Sequence, residues 1–244
     1  MRKSVLGFVA LVCFTSFALA VQAKDLRDWG VVVLHGKGGT SAGMRPVTAA
    51  LEAAGAKVIA PTASWSKGYK SFDATLSEVA GYVAEARAKG TKRIAIVGQS
   101  LGTEIALGYG AHRGGVDAIV AMAPGGDPAR LAKFTGESLQ RAKQMVASGH
   151  GNQTASFVDV NQGRQYQVNT TAAAYVSFFD PNGLANMSRN AANLKVGHLL
   201  WIVGTGDAGA RAEAHGGKII TVPGGHFETP KNGAQNVVTW LESL

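Results

Sequence analysis

Short apolar runs rich in β-branched residues alternate along most of the chain with longer segments of helical periodicity. The strand-like runs are predicted at 31–35, 57–61, 93–98, 116–124, 198–204 and 218–223. The helices between and after them are predicted at 41–54, 72–89, 101–112, 131–147 and from 229 onward. Strands that alternate with helices predict an α/β fold, in which a mostly parallel sheet carries helices on both faces.

The helical segments carry apolar stripes that indicate which side faces the sheet. In the second helix the stripe is formed by Phe72, Leu76, Val79 and Val83. In the last helix it is formed by Ala234, Val237, Val238 and Leu241. This last helix is predicted to begin with Thr229 as its N-cap and Pro230 at its first helical position.

The alternation of strands and helices lapses in residues 130–195, between the fourth and fifth predicted strands. After the helix at 131–147 this segment is rich in Gly, Asn, Gln and Thr. An insertion at that point lies over the carboxyl ends of the strands, where ligands bind in such sheets. We therefore predict a cap or lid, and a second small domain is the alternative.

Residues 1–23 have the layout of a secretory signal. Arg2 and Lys3 precede an apolar stretch at 5–19, and small-residue cleavage patterns end at Ala20 and at Ala23. The apolar run is about 15 residues, shorter than the roughly 20 that a membrane-spanning helix needs. This pattern predicts cleavage, export to the periplasm or the medium, and one domain over 24–244 that does not insert stably into a membrane. An uncleaved anchor is the alternative.

Composition narrows the class of protein. The chain has 46% hydrophobic and 16% charged residues, which excludes a disordered protein, and its single cysteine excludes an intramolecular disulfide. The formal net charge is +8, but the basic residues are scattered and are not interleaved with aromatic residues. Nucleic-acid binding is therefore not expected. The sequence makes no prediction of oligomeric state.

The motif Gly98-Gln99-Ser100-Leu101-Gly102 follows the third predicted strand and opens a helix. A serine on such a sharp strand-to-helix turn presents its hydroxyl outward, and the flanking glycines let the turn close. The motif therefore predicts that Ser100 is a nucleophile. The alternative is an ordinary glycine-rich turn in which Ser100 is the helix N-cap.

A serine nucleophile needs a base, and the base needs an orienting carboxylate. His226 follows the last predicted strand, and Asp207 follows the strand before it. Because the carboxyl ends of parallel strands meet at one edge of the sheet, we predict that Ser100, Asp207 and His226 converge. Asp127, after the fourth strand, is the alternative acid. Surface or capping roles are predicted for four other histidines, His112, His150, His198 and His215.

Acyl transfer also needs hydrogen-bond donors for the oxyanion. The backbone N–H of Leu101 is one candidate, and that of Lys37, in the glycine-rich loop 35–39, is the other. This loop lacks the glycine spacing of either common nucleotide-binding motif, so no nucleotide site is predicted. The sequence contains no H-E-x-x-H motif or close His/carboxylate cluster. Neither a metal nor a cofactor is therefore expected.

Taken together, the loop His35-Gly36, the elbow around Ser100, the acid in Gly206-Asp207 and the base in Gly225-His226 resemble the α/β-hydrolase superfamily. The resemblance covers residues 29–244. It implies that Ser100 is the nucleophile, Asp207 the acid and His226 the base, with oxyanion donors at Leu101 and Lys37. The antiparallel strands that often open this fold are not predicted before residue 31, so a compact six-stranded core with an inserted cap is expected.

The resulting hypothesis is an exported serine hydrolase that cleaves a small-molecule carboxylic ester through an acyl-enzyme. The same residues also suit amide or thioester cleavage or acyl transfer, and a non-catalytic binding protein on this scaffold is a further alternative. Several aromatic residues are candidates for the pocket wall, although a place in the core is equally compatible with the sequence. They are Trp65, Tyr69, Phe157, Tyr166, Tyr175, Phe178 and Phe179.

Overall fold

A parallel sheet dominates the computed structural model of the protein, which describes residues 25–125, 127–207 and 216–244. In chain order, the strands of this part are β1 (Trp29–Leu34), β2 (Lys57–Ile59), β3 (Arg93–Ser100), β4 (Ala118–Pro124), β5 (Thr154–Asn161), β6 (Arg164–Thr171), β7 (His198–Gly204) and β8 (Lys218–Val222). Six of them form one sheet in the order β2-β1-β3-β4-β7-β8, in which all neighbours are parallel. The predicted six-stranded α/β sheet is confirmed. The signal predicted at 1–23 lies outside the described residues.

Helices cover both faces of this sheet. They are α1 (Arg45–Ala53), α2 (Phe72–Ala88), α3 (Leu101–His112), α4 (Pro128–Ala147), α5 (Ala172–Phe179), α6 (Met187–Ala192) and α7 (Thr229–Glu242). Along β1, Val32 and Leu34 pack in one apolar cluster with α2 and α3, whereas Val31 and Val33 pack in another with α1 and α7. Because successive side chains of a strand point to opposite faces, β1 is buried on both sides. No helix within the described ranges is long and apolar enough to cross a membrane.

The apolar stripes predicted for α2 and α7 are buried in these two clusters, as expected. The predicted start of α7 is wrong by one position. Glu228 is the N-cap, and Pro230 is the second helical residue. The Thr229 N–H and hydroxyl both donate to the Gly225 carbonyl oxygen, at 3.1 and 2.8 Å, so Thr229 lies inside the helix.

The segment between β4 and β7 is more regular than its composition suggested. Helix α4 begins at Pro128, earlier than predicted, because the Asp127 side chain caps it. The polar stretch after α4 forms an antiparallel hairpin of β5 and β6. Its tight turn is made by Gln162 and Gly163, whose φ angles are 49° and 76°. Positive φ at both central residues is typical of a two-residue hairpin turn. We refer to residues 128–192 as the inserted segment.

Candidate active site

Ser100 lies at a turn where β3 passes directly into α3. Its φ of 55° and ψ of −119° are rare for an L-amino acid. Within the described residues, the Ser100 side chain makes no capping hydrogen bond to α3. A Cβ on Gly98 would lie 2.1 Å from the Gly102 carbonyl oxygen, and a Cβ on Gly102 would lie 2.5 Å from that of Leu34. The turn therefore requires glycine on both sides of Ser100.

His226 and Asp207 form a buried pair, with 2.7 Å between Nδ1 of the imidazole and Oδ2 of the carboxylate. Their residues are only 8% and 7% exposed. A carboxylate at Nδ1 favours the form of the imidazole that carries its proton there, which leaves Nε2 as a hydrogen-bond acceptor. This arrangement can receive a proton from a neighbouring hydroxyl group.

The loops that carry this pair are joined to each other. Asp207 follows β7, and His226 follows β8. The Gly206 N–H donates to the Gly224 carbonyl oxygen at 2.8 Å, and the Thr205 N–H donates to the Val222 carbonyl oxygen at 2.9 Å. These backbone bonds hold the acid and the base in register, although the two residues lie on different loops.

All five residues singled out from the sequence line one cavity of about 700 Å³. They are Lys37, Ser100, Leu101, Asp207 and His226. They come from the carboxyl ends of β1, β3, β7 and β8. The structure thus brings them together at the predicted edge of the sheet.

Hydrogen bonds order the loop after β1 that carries Lys37. The Ala63 N–H donates to His35 Nε2 at 3.0 Å, and His35 Nδ1 lies 2.7 Å from the Gly36 carbonyl oxygen. These contacts fit a neutral imidazole protonated on Nδ1, and burial lowers the pKa of His35 accordingly. Within the described residues, the Lys37 N–H has no hydrogen-bond acceptor. It is therefore free to donate to a ligand in the cavity.

Asp127, the alternative acid, has a different environment. One carboxylate oxygen accepts from the Ala129 N–H at 2.8 Å, and the other accepts from the Ser188 N–H at 2.9 Å. The Asp127 carboxylate therefore caps α4 and fastens the start of α6, while the His226 imidazole is bonded to Asp207.

The other described histidines lie outside this cavity. His112 ends α3 and approaches the Leu184 carbonyl oxygen at 3.3 Å. His150 pairs with the Ser148 hydroxyl at 3.1 Å, and His198 opens β7. His215 lies outside the described residues. Among those residues, no group of three or more His, Cys, Asp or Glu side chains is placed to hold a metal ion.

Sequence comparison decides the family. A family model described as "Alpha/beta hydrolase family" matches residues 31–234, which is more than half of the chain. The chain belongs to the alpha/beta hydrolase family. No curated protein matches the sequence.

Solved structures share the alpha/beta hydrolase fold of this chain. A monoacylglycerol lipase of Paleococcus ferrophilus has 20% identity and a TM-score of 0.63, covering 91% of this chain and 96% of its own. The thioesterase domain from the curacin biosynthetic pathway has 15% identity and a TM-score of 0.58, covering 88% and 91%. Est1E from Butyrivibrio proteoclasticus has 15% identity and a TM-score of 0.57, covering 91% and 88%. At these sequence identities, the similarity to the three structures shows that they share a fold with this chain.

The inserted segment of this alpha/beta hydrolase supplies much of the cavity wall. Phe178 and Phe179 at the end of α5 line the cavity together with Tyr69. Trp65 instead is buried and donates from Nε1 to the His35 carbonyl oxygen at 2.9 Å. Tyr175 stacks on Phe179, with 4.3 Å between ring centroids, and lies behind the wall. Among the other candidates, Phe157 is buried in the core, whereas Tyr166 is 41% exposed and does not line the cavity.

A buried ionic network joins the Lys37 loop to the hairpin of the inserted segment. Lys37 Nζ donates to Asp159 at 2.6 Å and to the Val160 carbonyl oxygen at 3.0 Å. The Tyr69 and Tyr166 hydroxyls both donate to the other Asp159 oxygen at 2.7 Å. Burial, with the Asp159 charge adding to it, raises the pKa of Tyr69 well above its usual range, so this phenol stays protonated.

The Asp159→Asn variant should reveal how much this network stabilises the fold. Asp159 is fully buried and Lys37 has a side-chain exposure of 14%, so removal of the charge leaves a buried ammonium group uncompensated. We expect the free energy of unfolding in urea to fall by about 3 kcal/mol. Asp28→Asn is the matched control, because the Asp28 pair with Lys92 is exposed and should contribute less than about 1 kcal/mol. Equal losses in both variants would contradict a stabilising role of the network.

Two side chains in or beside the site, Asp159 and Glu104, were not predicted from the sequence. Asp159 occupies an inward position of a strand that was not predicted. Glu104 lines the cavity from the first turn of α3, in the otherwise uncharged stretch Leu101–His112. The signal that could have identified Glu104 is its place as the single acid in a helix of small and apolar residues. Such a helix is buried all round, so its acid must face a cavity or a partner.

Proposed function

We propose that the protein is an exported serine hydrolase that cleaves carboxylic esters through an acyl-enzyme. The observation that carries this proposal is the common cavity of Ser100, on its strained turn, and the hydrogen-bonded pair of His226 and Asp207. Strained backbone persists only where the surrounding structure holds it, and it clusters at reactive sites. Export rests on the signal-like residues 1–23.

In the proposed reaction, the Ser100 hydroxyl attacks the ester carbonyl while His226 Nε2 takes the hydroxyl proton. Asp207 holds the imidazole in position and stabilises its charged form. The tetrahedral oxyanion accepts hydrogen bonds from the Leu101 and Lys37 N–H groups. As this intermediate collapses, the C–O bond to the alcohol breaks and His226 protonates the departing oxygen.

The second half of the reaction repeats these steps with water. His226 removes a proton from a water molecule, which attacks the acyl carbon bound to Ser100. Collapse of the second tetrahedral intermediate releases the carboxylic acid and returns the proton to the Ser100 oxygen. The cavity of about 700 Å³ lies within the range of small-molecule sites, which supports a small ester as the substrate.

A fluorophosphonate probe tests this proposal directly. We expect a native sample to gain one covalent adduct per chain, which peptide mass spectrometry should locate on Ser100. Heat-denatured protein is the control, because it lacks the convergence that activates the hydroxyl. Absence of an adduct in the native sample would contradict the proposal and favour a binding protein on a hydrolase scaffold.

A further inference from the structure

Glu104 is a buried acid that the proposed reaction does not use. It lies in the first turn of α3, is 5% exposed, and lines the same cavity as Ser100. Every residue of α3 before His112 is buried, so this carboxyl group has no route to bulk solvent except through the cavity. Its placement calls for a partner inside that space.

The protein supplies no such partner within the described residues, where no side chain or backbone group hydrogen-bonds the Glu104 carboxyl. Asp159, by contrast, receives bonds from Lys37, Tyr69 and Tyr166. The nearby ammonium group of Lys37 is already bonded to Asp159. Among the described residues, no fully enclosed side-chain oxygen or nitrogen lacks a hydrogen-bond partner, so the Glu104 carboxyl oxygens open into the cavity, where a ligand can reach them.

The protonation state of Glu104 narrows the chemistry of that ligand. Burial raises the pKa of Glu104 well above its usual range; the Lys37 charge opposes this shift, and the Asp127 and Asp159 charges add to it. Burial therefore favours the neutral form of this carboxyl group. A neutral carboxyl both donates and accepts a hydrogen bond, which matches a hydroxyl group. An ammonium group would require ionisation of the acid in a buried site.

Position in the fold indicates which part of the substrate meets Glu104. Residue 104 is one helical turn beyond Ser100, a rise of about 6 Å, so its partner lies only a few bonds from the scissile carbonyl. Its electrostatic neighbour Lys37 follows β1, whereas His226 follows β8, four strands farther across the sheet. Since the leaving alcohol must lie beside His226, Glu104 faces the acyl part.

We propose that Glu104 is a specificity-determining residue that hydrogen-bonds a hydroxyl group on the acyl part of the ester substrate. This assignment rests on the proposed esterase function. It predicts that the enzyme prefers short hydroxyacyl esters over the corresponding plain acyl esters.

The test compares p-nitrophenyl 3-hydroxybutanoate with p-nitrophenyl butanoate in the wild type, Glu104→Leu and Glu104→Gln. We expect wild-type kcat/KM to be about tenfold higher for the hydroxyacyl ester, which corresponds to about 1.4 kcal/mol. In Glu104→Leu this ratio should fall to about one, because the apolar side chain cannot bond the hydroxyl. Glu104→Gln should retain most of the preference, because an amide also donates and accepts. A merely structural role of Glu104 would lower both rates and leave their ratio unchanged.

The outcomes separate this proposal from the one on which it rests. A ratio that is the same in the wild type and Glu104→Leu, with both esters hydrolysed, would overturn the role of Glu104 alone. Preference for a 3-aminobutanoate ester over the hydroxyacyl ester would also overturn it, because the partner would then be a cation. A wild type that hydrolyses none of these esters would contradict the esterase function, and the Glu104 assignment would fail with it.

Discussion

Ser100→Ala should lower kcat for p-nitrophenyl butanoate by about 10⁴-fold or more, since no acyl-enzyme can form without the hydroxyl. Alanine removes a single oxygen atom and accepts the backbone of the turn as serine does. The variant should therefore retain the thermal unfolding midpoint of the wild type within a few degrees. Steady-state hydrolysis and a thermal melt measured on the same preparation would check both expectations.

Ser77→Ala is the matched control for this substitution. Ser77 is exposed on α2, and its hydroxyl donates to the Asp73 carbonyl oxygen of the same helix at 3.0 Å. The same change of serine to alanine there should leave kcat within about twofold of the wild type, as for most surface substitutions. Wild-type activity in Ser100→Ala would rule out Ser100 as the nucleophile.

Asp207→Asn should lower kcat by about 10⁴-fold while the fold is kept. The amide has the size of the carboxylate, but its NH₂ group can donate to His226 Nδ1. That bond would favour the imidazole form with its proton on Nε2, where the base must be free to accept. The loss should appear in kcat in the neutral range of pH, and substrate binding should change little.

Asp127→Asn separates the two acids that the sequence left as alternatives. Its carboxylate accepts two backbone N–H bonds in the inserted segment and an amide can accept only one of them, so the main expected effect is a loss of stability of about 1–2 kcal/mol. Activity should stay within about tenfold of the wild type, because an indirect effect on the cavity wall is small beside the loss of a triad member. A larger loss of kcat in Asp127→Asn than in Asp207→Asn would reverse the assignment.

The sheet was predictable because its determinants are local. Each strand of the sheet is a short apolar run, and buried strands such as β3 and β4 leave no polar alternation to confuse with a helix. The turn at Ser100 was predictable for a related reason. The contact that requires Gly98 is with Gly102, only four residues on, and it is visible in a five-residue window, whereas the requirement for Gly102 comes from the distant Leu34 backbone.

The inserted segment was harder to predict because its partners are distant in the chain. Lys37 and Asp159 are 122 positions apart, and neither residue carries a local mark of the bond between them. Neither hairpin strand has a wholly apolar face, so the alternation is weak, and Gln162 is an uncommon residue at a tight turn. Asp159 and β5 were therefore not predicted, because the partner of Asp159 is distant in the chain and β5 is only partly buried.

The bond between Lys37 and Asp159 also limits how this scaffold can be recombined. Exchange of residues 128–192 for the corresponding piece of another hydrolase would keep the six-stranded frame and all five residues predicted for the reaction. The exchange would nevertheless remove Asp159 and leave the Lys37 ammonium group without its counter-charge, in the same residue whose backbone N–H is a proposed oxyanion donor. A working chimera would need either an acid grafted at the equivalent hairpin position or an apolar replacement of the lysine.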